Sequence, residues 1–252
     1  MTSTLHTPQS IFSWRHLPSW MMLAMAAGAV NAGAFLACQR FVTHVTGTVT
    51  QLGLDLSSLR LMLEYALVLG CFILGAVVAV LAIERRTRLT GRPWHAAPLL
   101  GVIALLLVVA LLGRLGVLGP FGGAVEEPAD FALLAILGFA MGMQNATVAT
   151  STGMMIRTTH LTGPATDLGV HLAMSCLTAG EPRRAAMRGA ALRAGKIVSF
   201  LIGAGLMVPT VAALGWLAFL LPSAAVALAT VLSFIPSLSF GEGPEREAFS
   251  PA

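Results

Sequence analysis

Thr43-His44-Val45-Thr46-Gly47-Thr48-Val49-Thr50-Gln51-Leu52-Gly53 and Thr159-His160-Leu161-Thr162-Gly163-Pro164-Ala165-Thr166-Asp167-Leu168-Gly169 follow one pattern, T-H-aliphatic-T-G-x-x-T-x-L-G, at an offset of 116 residues. Agreement that includes two glycines and a histidine in register marks an internal repeat. The surroundings repeat as well. Each copy follows an apolar run bearing an asparagine, Asn31 or Asn145. Each precedes a run containing Phe-Ile-Leu-Gly-Ala (72–76) or Phe-Leu-Ile-Gly-Ala (200–204). The repeated unit is one apolar run, a Thr-Gly segment, and two further runs.

The runs are membrane spans by length and composition. The chain has 252 residues, 56% hydrophobic and 10% charged, where a soluble domain carries about a quarter charged residues. A helix that crosses the hydrocarbon layer needs about 20 apolar residues. Six segments qualify: Pro18–Cys38, Leu61–Ile83, Pro98–Leu118, Phe131–Thr150, Ala190–Thr210 and Ala213–Ile235, the last two divided near Pro209 and Gly215. Arg15 and His16 before the first run resemble the start of a signal peptide, but the repeat requires that segment in the mature fold.

Three spans per unit is an odd number, so a second copy placed directly after the first starts from the opposite side of the membrane. The expected fold is an all-α membrane protein. Its six transmembrane helices form two inverted three-span repeats, with short broken-helix segments at the Thr-Gly motifs. Residues 18–120 and 121–236 are the two repeats, and 1–17 and 237–252 are polar, disordered cytoplasmic tails. With the N-terminus inside, twelve Lys and Arg fall on the cytoplasmic side, among them Arg15, Arg85 to Arg92, Arg183 to Arg193 and Arg246. Arg40, Arg60 and Arg114 fall outside, as does the loop with Glu126, Glu127 and Asp130. Both termini are therefore expected in the cytoplasm. The basic stretch Glu181–Arg188 is expected as a cytoplasmic surface in a long loop.

The Thr-Gly segments are the candidate site. Thr46 and Thr162 suit the cap of a short helix starting just after Gly47 or Gly163, and Pro164 suits a first turn. Freed N–H groups at such a start favour anions. Irregular backbone at membrane depth belongs inside protein or against a water-filled cavity. The candidate solute-binding residues are Asn31, His44, Thr46, Gly47, Thr50, Gln144, Asn145, Arg157, His160, Thr162, Gly163, Thr166 and Asp167. Small and hydroxyl residues also serve as plain packing between helices. Arg157 and Asp167 have a spacing that permits pairing, and charges at membrane depth tend to be paired or functional. Lys196 and Glu64 lie near span ends and are expected to snorkel to the interface. Met141, Met143, Met154 and Met155 read as packing.

Ala27-Gly28-Ala29-Val30-Asn31-Ala32, His44-Val45-Thr46-Gly47, Met143-Gln144-Asn145-Ala146 and the run Arg157 to Gly169 resemble the YoaK-like family of bacterial integral membrane proteins, a domain of unknown function. The resemblance covers roughly residues 18–235 and implies a bacterial plasma (inner) membrane location. It supplies no substrate. Members of that family often carry an acid where Asn31 stands and an Asn where Thr48 stands.

The functional expectation is a small-solute transporter or permease with a polar site between the repeats. The alternative is a non-transporting membrane scaffold or sensor. An enzyme is not expected: the chain lacks a His/Glu metal motif, a Gly-x-Ser-x-Gly and a phosphate loop. Cys38, Cys71 and Cys176 have no metal-ligand spacing, and no cofactor is expected. The pI of about 9.6 reflects short basic clusters beside apolar runs, not a nucleic-acid surface. The expected partners are the lipid bilayer and an unidentified small solute, and the reading leaves room for a homo-oligomer.

Overall fold

The structure is a computed structural model that describes residues 16–54, 57–122 and 128–234. Residues 1–15 and 237–252 of the expected tails lie outside that range, with Arg15 and Arg246, as do Glu126 and Glu127 of the expected outer loop. Among the described residues eight α-helices follow in order: α1 Leu17–Cys38, α2 Val45–Leu54, α3 Leu59–Thr90, α4 Ala96–Arg114, α5 Pro128–Ser151, α6 Thr162–Leu177, α7 Gly180–Leu214 and α8 Leu220–Ser233. A 3₁₀ turn, Gly215–Phe219, joins the last two. Among the described residues there is no strand.

Local signals set the ends. Pro18 sits in the first turn of α1, where its missing N–H costs nothing. The Ser58 hydroxyl accepts the Leu61 N–H at the start of α3. α1 closes on Gln39 at φ 57°, and α5 on Gly153 at φ 57°. Hydroxyls inside the apolar α5 satisfy themselves on the preceding turn: Thr147 donates to the Met143 carbonyl at 2.8 Å and Thr150 to that of Ala146 at 2.9 Å.

Among the described residues five helical stretches are long and apolar enough to cross a membrane, Leu17–Cys38, Leu59–Thr90, Ala96–Arg114, Pro128–Ser151 and Gly180–Ser233, so the chain is a multi-pass membrane protein. The last covers 54 residues and is broken at Gly215, φ 54°. Of the two places expected for the division, the chain uses Gly215, and Pro209 lies inside α7. Glu181–Arg188 is the first part of that helix and not a loop. α1 and α5 are central, each with 61% of its most apolar window buried in protein, against 22% for α3 and 11% for Gly180–Ser233. The outward faces of the peripheral helices carry Ile73, Leu74, Val77, Leu201, Ile202 and Val208, an apolar surface that suits lipid.

Each central helix packs against the other copy. α1 lies against α7 and α8, and α5 against α3 and α4. Between lipid-immersed helices there is little hydrophobic drive, so close backbone approach matters. A Cβ on Gly28 would fall 2.0 Å from the Phe200 carbonyl oxygen, and one on Gly203 1.9 Å from that of Met25. The same pair of close approaches recurs between α5 and α3: a Cβ on Gly142 would fall 1.9 Å from the Phe72 carbonyl oxygen, and one on Gly75 2.0 Å from that of Phe139. At the two ends of the described chain, the His16 ring and the Ser19 hydroxyl both reach the Ser233 hydroxyl, at 2.8 and 2.6 Å, so α1 begins where α8 ends.

A methyl group at any of these glycines has no room. Gly142→Ala and Gly203→Ala should each destabilise the protein by about 1–3 kcal/mol. Gly70→Ala, which meets nothing within 4 Å, should stay within about 0.5 kcal/mol of the parent. Thermal unfolding of the detergent-solubilised variants measures the difference.

Candidate functional site

The linkers that precede α2 and α6 line one cavity, and the two asparagines of the central helices hold them. The Asn31 carbonyl oxygen accepts the N–H groups of Val42 and Thr43 at 3.2 and 3.1 Å. The Asn145 carbonyl oxygen accepts that of Thr159 at 3.3 Å. These bonds satisfy N–H groups that no helix ladder reaches. The second linker has an additional anchor. Lys196, 7% exposed, donates its ammonium to the carbonyls of Arg157 and His160. It does not snorkel. Glu64 is likewise buried, bonded to Arg40 at 3.1 Å and paired with Arg60 at 3.7 Å.

Helices α2 and α6 begin earlier than expected, at Val45 and Thr162, so Thr46 and Thr162 lie in the first turn and do not cap it. The glycine of each motif has a local reason. A Cβ on Gly47 would meet the His44 ring at 2.9 Å, and one on Gly163 the His160 ring at 2.9 Å. Each imidazole thus lies over the glycine three residues on, and the spacing His-x-x-Gly is a steric fit.

Between the linkers is a cavity of about 460 Å³. Its wall takes matched residues from both copies: Asn31 and Asn145, Thr43 and Thr159, His44 and His160, Val45 and Leu161, Thr46 and Thr162, Phe72 and Phe200. One matched pair differs in kind, Phe41 in the first copy and Arg157 in the second. A second cavity of about 540 Å³ adjoins it, sharing Phe41, His44 and Thr46 and reaching Gly47, Thr50, Gln51, Arg40 and Tyr65. A third of about 230 Å³ adjoins it on the other side, sharing Arg157 and His160 and reaching Gly163, Asp167, Arg193, Lys196 and Trp20.

The family described as "Protein of unknown function (DUF1275)" matches residues 19–232. The chain belongs to that family. No curated protein and no solved structure matches it. The matched range of this DUF1275 chain takes in every residue of the three cavities.

Seven of the thirteen candidate residues of the DUF1275 chain line the central cavity: Asn31, His44, Thr46, Asn145, Arg157, His160 and Thr162. Gly47 and Thr50 line the cavity beyond His44, and Gly163 and Asp167 the one beyond His160. Gln144 is elsewhere: fully buried, its amide donates to the Leu23 carbonyl and the Thr158 hydroxyl, each at 3.0 Å. Thr166 is exposed and returns its hydroxyl to the Thr162 carbonyl. Asp167 pairs with Arg193 at 3.4 Å, not with Arg157. Sequence reasoning missed Thr43, Thr159, Phe72 and Phe200 as wall residues. All four stand in repeated segments, so matched position was the available signal. His160, in the linker outside the helical spans, has its pKa pushed down by desolvation first, then by the Lys196 and Arg157 charges.

The tether at Asn31 needs an acceptor, and a carboxylate supplies one. Asn31→Leu should cost about 1–3 kcal/mol by leaving two linker N–H groups unpaired. Asn31→Asp should retain most of the stability. Parallel thermal unfolding of both variants checks this.

Proposed function

We propose that this protein is a small-solute transporter or permease whose polar site lies between two inverted three-span repeats. The single observation that carries the reading is the row of three adjoining cavities, with His44 at one junction and His160, its counterpart in the repeat, at the other. Solute sites of many secondary transporters lie at a repeat interface and at interrupted helices.

The inversion is supported by the exchange of partners, α1 with α7 and α8, α5 with α3 and α4. A sixth crossing is supported by length. The 14 residues of α8 with the five-residue 3₁₀ turn extend about 31 Å, near the hydrocarbon thickness. An even number of crossings also fits the contact of Ser233 with His16 and Ser19. The Lys and Arg distribution favours cytoplasmic termini, so that the His44 side opens outward and the His160 side inward, and the family resemblance implies a bacterial inner membrane.

Proteoliposomes containing the purified protein should show saturable flux for one class among small anions, cations and neutral solutes. Gly47→Val and Gly163→Val, which displace the histidine rings at the two junctions, should abolish that flux and leave membrane insertion unchanged. Flux equal to protein-free vesicles for every class would make the protein a scaffold or sensor.

A further inference from the structure

We propose that the central cavity binds a small monovalent organic anion, a carboxylate on a compact apolar body, with Arg157 as the group that takes the carboxylate. This inference rests on the reading of that cavity as a solute site and names the class of solute.

Charge is the first observation. The residues lining the central cavity include Arg157 and two histidines, and no acid. Among the described residues the Arg157 guanidinium makes no ion pair and no hydrogen bond. The one acid near it in the adjoining cavity, Asp167, is committed to Arg193 at 3.4 Å. The next acid toward the other face, Glu64, is held by Arg40 and Arg60. Arg157 is nevertheless fixed in place through its backbone, because Lys196 donates to its carbonyl and to that of His160. A charged fork on an anchored backbone, exposed where two cavities meet, is hydrated when the site is empty and matches a carboxylate bidentately when it is filled.

The repeat supplies the second observation. The residue matching Arg157 in the first copy is Phe41, stacked on Phe35 at 4.6 Å between ring centroids. The linker therefore folds with a phenyl ring at this position. A structural requirement of the linker does not account for a cation there, and the charge is left as a feature of the cavity.

Shape gives the third. Phe41, Phe72, Phe200, Val45 and Leu161 make much of the remaining wall apolar, and about 460 Å³ lies in the range of small-molecule pockets. Aromatic rings on the wall favour an apolar body over a bare hydrated ion. The hydroxyls of Thr46 and Thr162 and the amides of Asn31 and Asn145 can accept or donate to its polar edge.

Binding can be read without flux. The full chain in nanodiscs is titrated with benzoate and isobutyrate, with the uncharged benzamide and isobutyramide, with isobutylamine, and with chloride, by thermal stabilisation and calorimetry. Saturable binding of the carboxylates, with amides and amine without effect, is the expected result. Arg157→Gln should weaken carboxylate binding about 10- to 100-fold. Arg157→Lys should retain part of it. Arg157→Phe places in the second linker the residue that the first already carries, so it should fold and lose binding. Arg183→Gln, on the exposed start of α7, should bind as the parent does. Equal binding of the amides, unchanged binding in Arg157→Gln or Arg157→Phe, or no saturable response to either carboxylate would overturn the proposal. So would chloride binding as tightly as the carboxylates, since the apolar wall would then play no part. Carboxylate binding without any flux would leave this assignment standing and remove the transport reading, whereas flux with no dependence on Arg157 or on anions would do the reverse.

Discussion

Four close approaches between a glycine and a carbonyl oxygen, Gly28 to Phe200, Gly203 to Met25, Gly142 to Phe72 and Gly75 to Phe139, bind each central helix to a helix of the other copy. In a lipid setting, apolar side chains gain little by leaving the bilayer for one another, so association depends on van der Waals fit and on backbone proximity. Everything else in the molecule is arranged around this constraint. With α1 locked to α7 and α5 to α3, the linkers that leave α1 and α5 are brought to the centre. There the Asn31 and Asn145 carbonyls, one turn beyond Gly28 and Gly142, take up their free N–H groups. The cavity is what remains between two linkers that are held but cannot form a helix at that point.

Duplication makes such a site economical to build, and departures from the repeat show where the halves have separate work. Phe41 and Arg157 occupy matched places in the linkers, and Lys196, which anchors the second linker, has Val68 as its counterpart. The first linker instead adjoins the Arg40, Glu64 and Arg60 cluster, with the Arg40 guanidinium also 5.4 Å from the centre of the Tyr65 ring. A carboxylate between two arginines thus stands beside the first linker, and an ammonium on backbone carbonyls beside the second. The halves share a frame and differ in charge.

Much of this was legible before any coordinates. The Thr-Gly motif at an offset of 116 residues placed both linkers and four wall residues, His44, Thr46, His160 and Thr162, because repetition marks position without needing chemistry. Other features were hidden for physical reasons. Pro209 and Gly215 both suggested a break, but a proline inside a membrane helix is tolerated when neighbours satisfy the freed carbonyl, and only Gly215 turns the chain. Gln144 stood beside Asn145 and read as part of the site. Adjacent helical residues point about 100° apart, so one faces the cavity and the other is buried among α1 and the second linker. Lys196 and Glu64 read as snorkelling side chains because burial cannot be judged from distance to a span end. The reason for His-x-x-Gly, a ring lying over a glycine, is a steric relation that only the helix start reveals.

The central claim is that the two linkers meet in a water-filled cavity reached from opposite faces of the membrane. Cysteine accessibility tests it most directly. In a background with Cys38, Cys71 and Cys176 replaced, single cysteines at Thr46 and Thr162 are treated with a membrane-impermeant thiol reagent in right-side-out and inside-out vesicles. The account predicts that both react with this water-soluble reagent, Thr46→Cys from the outer face and Thr162→Cys from the inner. Resistance of both to it from either side, with labelling only by a lipid-soluble maleimide, would place the linkers against lipid and contradict the account.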